Sequence, residues 1–167
     1  VDAGNFYHMV LKKLKCHEVD FDYDKLVKYL VGDGRATTTE GKRFYVGTVR
    51  EKKDGHESSQ AMSNQTALFT ELSKSGWVIK TSKLRTRLER IKIDDRVKNY
   101  QQILKAGIKE ILYERSREKG IDVKLAIDLI IGAVDKKYDT AIIISSDTDL
   151  VPAVQWIRNR MKLKAEY

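Results

Sequence analysis

The sharpest change of pattern along the chain falls at residues 138–149, YDTAIIISSDTD. Ala141, Ile142, Ile143 and Ile144 form a short apolar run without polar alternation, which is how a strand buried on both faces of a parallel sheet reads. The run stops in Ser145-Ser146-Asp147-Thr148-Asp149, and helical spacing follows over 150–159. Pro152, the single proline, lies in the first turn, where proline is tolerated. Asp149 stands where a helix N-cap is wanted. One helix start does not need two acids, so Asp147 calls for another use. Ligands of open α/β sheets bind just beyond the carboxyl ends of strands, and both acids fall at such an end.

The chain opens on the same pattern. Val1-Asp2-Ala3-Gly4-Asn5, followed by Phe6, Val10, Leu11 and Leu14 at apolar spacing, predicts a strand end, a tight turn and a helix. More of that strand is expected upstream of Val1. Asn5 is either a turn residue or a second polar group on the same rim. Residues 24–30 predict a short helix stopped by Gly32-Asp33-Gly34, which lacks both the P-loop lysine and the dinucleotide glycine pattern. A strand over 43–49, a polar loop at 52–55, a helix capped by Ser58 or Ser59 and a strand over 77–81 make a crossover unit, hence a parallel sheet.

Beyond it, Arg85, Arg87, Arg90 and Lys92 interleave with Leu84, Thr86, Leu88, Ile91 and Ile93. Much of this has period two and predicts an edge strand or hairpin with one cationic face. Residues 103–113 read as helical, with Gly107 against it. Residues 123–131 are apolar almost all round and predict a deeply packed helix, with Asp122 a candidate N-cap. A last strand is expected over 163–167.

Composition narrows the class. At 167 residues and 41% hydrophobic content the chain is expected to be one globular domain, 1–167, able to bury a core without staples. No apolar run reaches membrane-spanning length, and no signal-peptide pattern opens the chain. The single cysteine, Cys16, excludes an intramolecular disulfide and suits a reducing compartment, so a cytoplasmic location is expected. Of the net charge of +8, all lies in residues 74–119, where 14 Lys+Arg face 6 Asp+Glu. The remainder is balanced at 18 of each. A localised excess of this kind favours an anionic polymer as partner over a merely solvated surface.

The candidate chemistry rests on acids. Asp2 and Asp147 end strands, Asp149 follows, and Asp128 lies inside an apolar helix. A lone ionised carboxylate there is costly unless compensated, so Asp128 either faces a metal or escapes to solvent or a lysine. Carboxylates gathered in one pocket repel, and a hard dication such as Mg²⁺ or Mn²⁺ relieves this while keeping waters for chemistry. With a basic flank to hold a phosphodiester backbone, the pattern reads as metal-dependent nucleic-acid hydrolysis. His8, His17 and His56 have no zinc-site spacing, and nothing marks a nucleophile elbow.

Four motifs together, Val1-Asp2-Ala3-Gly4-Asn5, Lys119-Gly120-Ile121-Asp122-Val123, Leu125-Ala126-Ile127-Asp128 and Ser145-Ser146-Asp147-Thr148-Asp149-Leu150, resemble the NYN (LabA-like) family of PIN-like nuclease domains. The likeness is good over 117–167 and looser over 1–80, and a basic insertion occupies about 84–116. It implies a three-layer α/β/α Rossmann-like sandwich with a mainly parallel sheet and a Mg²⁺- or Mn²⁺-dependent endoribonuclease. By position it makes Asp2, Asp128 and Asp147 the metal ligands, adds Asp122 and Asp149 to the catalytic cluster and sets Asn5 in the pocket. Ser146, Thr148 and Leu150 stand where the family often has Gly, Gly or Ser, and Phe.

Lys83, Arg85, Arg87 and Lys119 are candidate backbone contacts for RNA, single-stranded or structured, and a homodimer is compatible with the sequence. Two rivals remain open. One is a non-catalytic RNA-binding or adaptor module on the same fold. The other is a phosphotransfer domain, although such domains want the Asp pair after the first strand.

Overall fold

The computed structural model describes residues 1–48, 56–118 and 120–166, and only the backbone of 56–58, 83–86 and 116–118. The fold is mixed α/β. Helix α1 (Ala3–Phe6) runs through a π-helical turn (Tyr7–Leu11) into α2 (Lys12–Leu14), which ends at Lys15 in the left-handed region. Helix α3 (Tyr23–Val31) starts at Asp22, whose carboxylate accepts the Lys25 N–H at 2.8 Å. The predicted crossover follows as β1 (Arg43–Thr48), α4 (His56–Lys74) and β2 (Val78–Lys92), with β1 and β2 parallel from Arg43↔Val78 to Thr48↔Lys83. At the far end of the chain, β4 (Thr140–Ile142) and β5 (Lys164–Glu166) pair in parallel around α7 (Val151–Arg160).

Val1 and Asp2 link the two sheets. The Tyr45 N–H donates to Val1 O and the Asp2 N–H donates to Ile144 O, both at 2.9 Å, with Asp2 bridged in parallel to Tyr45. Successive strand residues point to opposite faces, so neighbours enter different cores. Phe44 packs with Phe6, Leu11, Tyr23, Leu72 and Trp77. Tyr45 joins Leu125, Leu129, Leu150 and Ile157. Ile144 and Ile143 divide the same way.

Helix α6 (Ile121–Val134) departs from its predicted environment. Ile121, Leu125, Leu129, Gly132 and Ala133 are buried, but Val123, Ile127 and Ile131 on the opposite side are 59%, 49% and 49% exposed. A helix lying on a sheet covers one stripe, however apolar its other side is. Where the helix passes Tyr138 it comes so close that a side chain at Gly132 would stand 2.8 Å from the tyrosine ring.

The second departure is over 106–113, since of the helix expected over 103–113 only 103–105 is helical. Helix α5 (Tyr100–Lys105) stops at Gly107, held at φ +82°, and the chain turns into β3 (Glu110–Glu118). β3 pairs antiparallel with the outer part of β2, from Leu84↔Glu118 to Lys92↔Glu110. β2 therefore belongs to the sheet up to Lys83 and to a two-stranded ribbon beyond it. The expected hairpin is present, and it extends past the carboxyl ends of β1 and its neighbours.

Candidate active site

The carboxyl ends of the strands carry a network of short polar side chains. Asp2 caps α1 and is buried at 3% exposure. Its Oδ1 accepts the Asn5 backbone N–H at 3.2 Å, and its Oδ2 accepts from Asn5 Nδ2 at 2.5 Å and from Ser145 Oγ at 2.8 Å. Ser145 Oγ in turn accepts the Asp147 N–H at 3.1 Å. Asp147 caps the 3₁₀ turn Thr148–Leu150 by accepting the Asp149 N–H at 2.8 Å, so the cap anticipated at Asp149 belongs to Asp147. Ser146 Oγ donates to Asn5 Oδ1 at 2.5 Å. Asn5 is thus the turn residue and a rim residue at once.

Asp122 completes the rim. It lies in the first turn of α6, whose N-cap is Gly120 at φ +87° and not Asp122. Its carboxyl is held above the ordinary aspartate range by desolvation first, and then by the negative charges of Asp147, Asp2 and Asp149. Three of the five acids singled out in the sequence thus bear on a fourth, Asp122.

Asp128 is the exception. Its Oδ2 accepts from Tyr45 Oη at 3.0 Å and pairs with Arg43 at 3.5 Å and Lys80 at 3.6 Å. These are the partners of the lysine-paired alternative, and among the described residues no three acids, histidines or cysteines form one ligand cluster. Six residues along a helix carry Asp128 roughly 9 Å down the axis from Asp122 and round to a different side. It lines a cavity of about 460 Å³ with Val1, Arg43, Tyr45, Tyr138 and Ile144, which Asp2, Asp122, Asp147 and Asp149 do not line. On the rim, Ser146, Thr148 and Asp149 are exposed while Asp122, Ser145 and Asp147 are partly covered.

Ser145 and Ser146 were not read from sequence as site residues. Their only signal there is position, between a buried strand and an Asp-x-Asp. Of the basic candidates, Arg87 is exposed on the ribbon, Lys83 and Arg85 lie on β2, and Lys119 falls outside the described residues.

The NYN domain family model matches residues 1–165. The chain belongs to the NYN domain family. No curated protein and no solved structure matched it. NYN domains have nuclease-like, RNA-related functions and are generally ribonucleases, and PIN-like nucleases typically use divalent metals. Membership therefore implies an RNA substrate. Among the described residues no helix is long and apolar enough to cross a membrane.

The rim of this NYN domain can be tested against a metal on its own donors. All are hard oxygens, and the like-charge repulsion that adds to desolvation in raising Asp122 is what a dication relieves. Among the described residues no three carboxylate, histidine or cysteine groups stand close enough to form one ligand shell. Mg²⁺ usually keeps several waters and takes only one or two carboxylates. The rim therefore does not fit a closed all-protein cage, and an ion held there would have to keep most of its waters.

Proposed function

We propose that this chain is a metal-dependent endoribonuclease that hydrolyses RNA phosphodiester bonds at the Asp2–Asp122–Asp147–Asp149 rim. The observation that carries the reading is that Asp147, Asp2 and Asp149 bear on Asp122 at the carboxyl ends of the strands, adding their charge to the desolvation that already raises it. Two cores that share neighbouring strand residues, bridged by Val1 and Asp2, support a continuous, mainly parallel sheet inside an α/β/α sandwich. The single Cys16 suits action in the cytoplasm.

Asp147 and Asp122 would hold Mg²⁺ or Mn²⁺, with Asp149 at the exposed edge orienting its waters. When bound there, such an ion would supply an activated water for in-line attack and would neutralise charge on the phosphate. Asp2 anchors the rim: through Ser145 it fixes the turn that carries Asp147, and through Asn5 it fixes the entry of α1. Asp128 is a positioning residue that ties α6 to β1 and β2 through Tyr45, Arg43 and Lys80. Asn5, Lys83, Arg85, Arg87 and Lys119 are the candidate contacts to the RNA backbone near the rim. No base-reading device accompanies them, so the reading carries no sequence specificity.

The deciding experiment is Mn²⁺-dependent cleavage of a labelled single-stranded RNA by the wild type, abolished in Asp147→Asn. A second reading, an RNA-binding adaptor without turnover, is favoured by one observation. Both oxygens of Asp2 are already engaged by Asn5 and Ser145, which leaves it little capacity to ligate. RNA binding by the wild type without cleavage would select it.

A further inference from the structure

The ribbon formed by the outer part of β2 and by β3 has two unlike faces. With period-two alternation and the observed register, Arg85, Arg87, Glu89 and Ile91 share a face with Arg117, Arg115, Tyr113 and Ile111. That face carries four arginines against one glutamate. The other carries Arg90 and Lys92 against Glu110, Glu114 and Glu118. The ribbon's excess positive charge therefore lies on one side.

Its arrangement there is costly. Arg85 is registered directly opposite Arg117, and Arg87 directly opposite Arg115. Like charges at directly opposed positions destabilise an antiparallel pair. Glu89 relieves this in part: its Oε2 accepts from Tyr113 Oη at 2.8 Å and pairs with Arg115 at 3.6 Å. On the other face, Arg90 meets Glu110 at 3.6 Å in the ordinary opposite-sign arrangement.

We propose that the arginine face of the β2–β3 ribbon is a binding arm for the RNA backbone that flanks the cleavage rim. This rests on RNA being the substrate and not on the chemistry at the rim. The ribbon springs from the same edge as the acids: Ser82 and Lys83 are registered with the last residues of β1, and β3 ends three residues before α6, whose second residue is Asp122. Nine paired residues reach about 30 Å beyond that edge. An anion beside the opposed Arg87 and Arg115 offsets their like charge, and a row of phosphates supplies one anion after another along the strand direction. Tyr113 on the same face offers a surface for stacking.

The test is anisotropy of a labelled oligouridine of about twenty nucleotides, titrated with the full chain in chelator between roughly 50 and 200 mM salt. Neutralising Arg85, Arg87, Arg115 and Arg117 to Gln is expected to weaken binding by at least about tenfold at low salt and to flatten the salt slope by about 3, near 0.7 per lost contact. Arg90→Gln with Lys92→Gln is expected to change the slope by less than about 1. A lysine version of the four-arginine set, which keeps the charge if the glutamine version fails to fold, is expected to keep most of the slope. An unchanged affinity in the glutamine set overturns the arm, as does an equal loss from the Arg90 and Lys92 pair, or loss of the slope in the lysine set. Chelator removes cleavage from the readout, so a failure here is distinct from retained cleavage in Asp147→Asn.

Discussion

Asp122 and Asp128 belong to the same helix and are the same residue type, yet their surroundings handle their charge in opposite ways. Asp128 meets two cations and a phenol, so its charge is neutralised within the protein and ties α6 to the strands. Asp122 is partly desolvated and feels the charge of three further carboxylates, which together hold its proton more tightly than usual. A carboxylate within a neutralising cluster is structural, and one within a cluster of like charge is poised to bind a cation. What separates the two roles is which strand edge the helix turns each residue toward.

The comparison can be broken most directly at the rim. Asp147→Asn removes a carboxylate and is expected to lower cleavage of labelled RNA by at least about a hundredfold, while RNA affinity in chelator is retained. Asp128→Asn should lower the cleavage rate per folded molecule by less than about tenfold. Equal losses would return Asp128 to the catalytic group.

The next effect is on stability. Mn²⁺ at about a hundred times its Kd should stabilise the wild type by about 2.7 kcal/mol. A thermal melt would show this as a raised midpoint, and the shift should shrink in Asp147→Asn and persist in Asp128→Asn. Removing Asp128 altogether, in Asp128→Ala, leaves Arg43, Lys80 and the Tyr45 hydroxyl without their shared acceptor. It should cost about 2 kcal/mol in a urea titration.

The smallest effect is at Asp122. A carboxyl whose folded pKa is raised favours folding below that pKa, and this contribution is lost as pH rises through it. Asp122→Asn should therefore be more stable than the wild type at neutral pH and lose that advantage below the carboxylate range. Screening at this half-exposed position limits the gain to a few tenths of a kcal/mol. A destabilised Asp122→Asn at pH 7 would argue against crowding at the rim.

Much of the fold was legible because its signals are local. The β-branched run ending in Asp147, the opening Val1-Asp2 and the crossover from β1 to β2 each announce a strand and its exit within a few residues. The reading failed where local preference met a longer constraint. Ile111 and Leu112 suit a helix as well as a strand, and the left-handed turn at Gly107 together with the pairing to β2 decided for the strand. The apolar side of α6 holding Val123, Ile127 and Ile131 was expected inside because hydrophobicity alone does not say how many sides of a helix a sheet can cover.

Sequence alone determined that this chain carries acids at the ends of buried strands, a basic segment between them and the motifs of its family, because each of those is a matter of residue order. The tertiary structure alone decided which acids meet. Whether Asp128 faces Lys80 or Asp147 depends on where a helix sits over a sheet, and whether Arg87 opposes Arg115 or a glutamate depends on register. Charges interact through space at a few ångströms, and separation along the chain carries no information about that distance until the strands are paired.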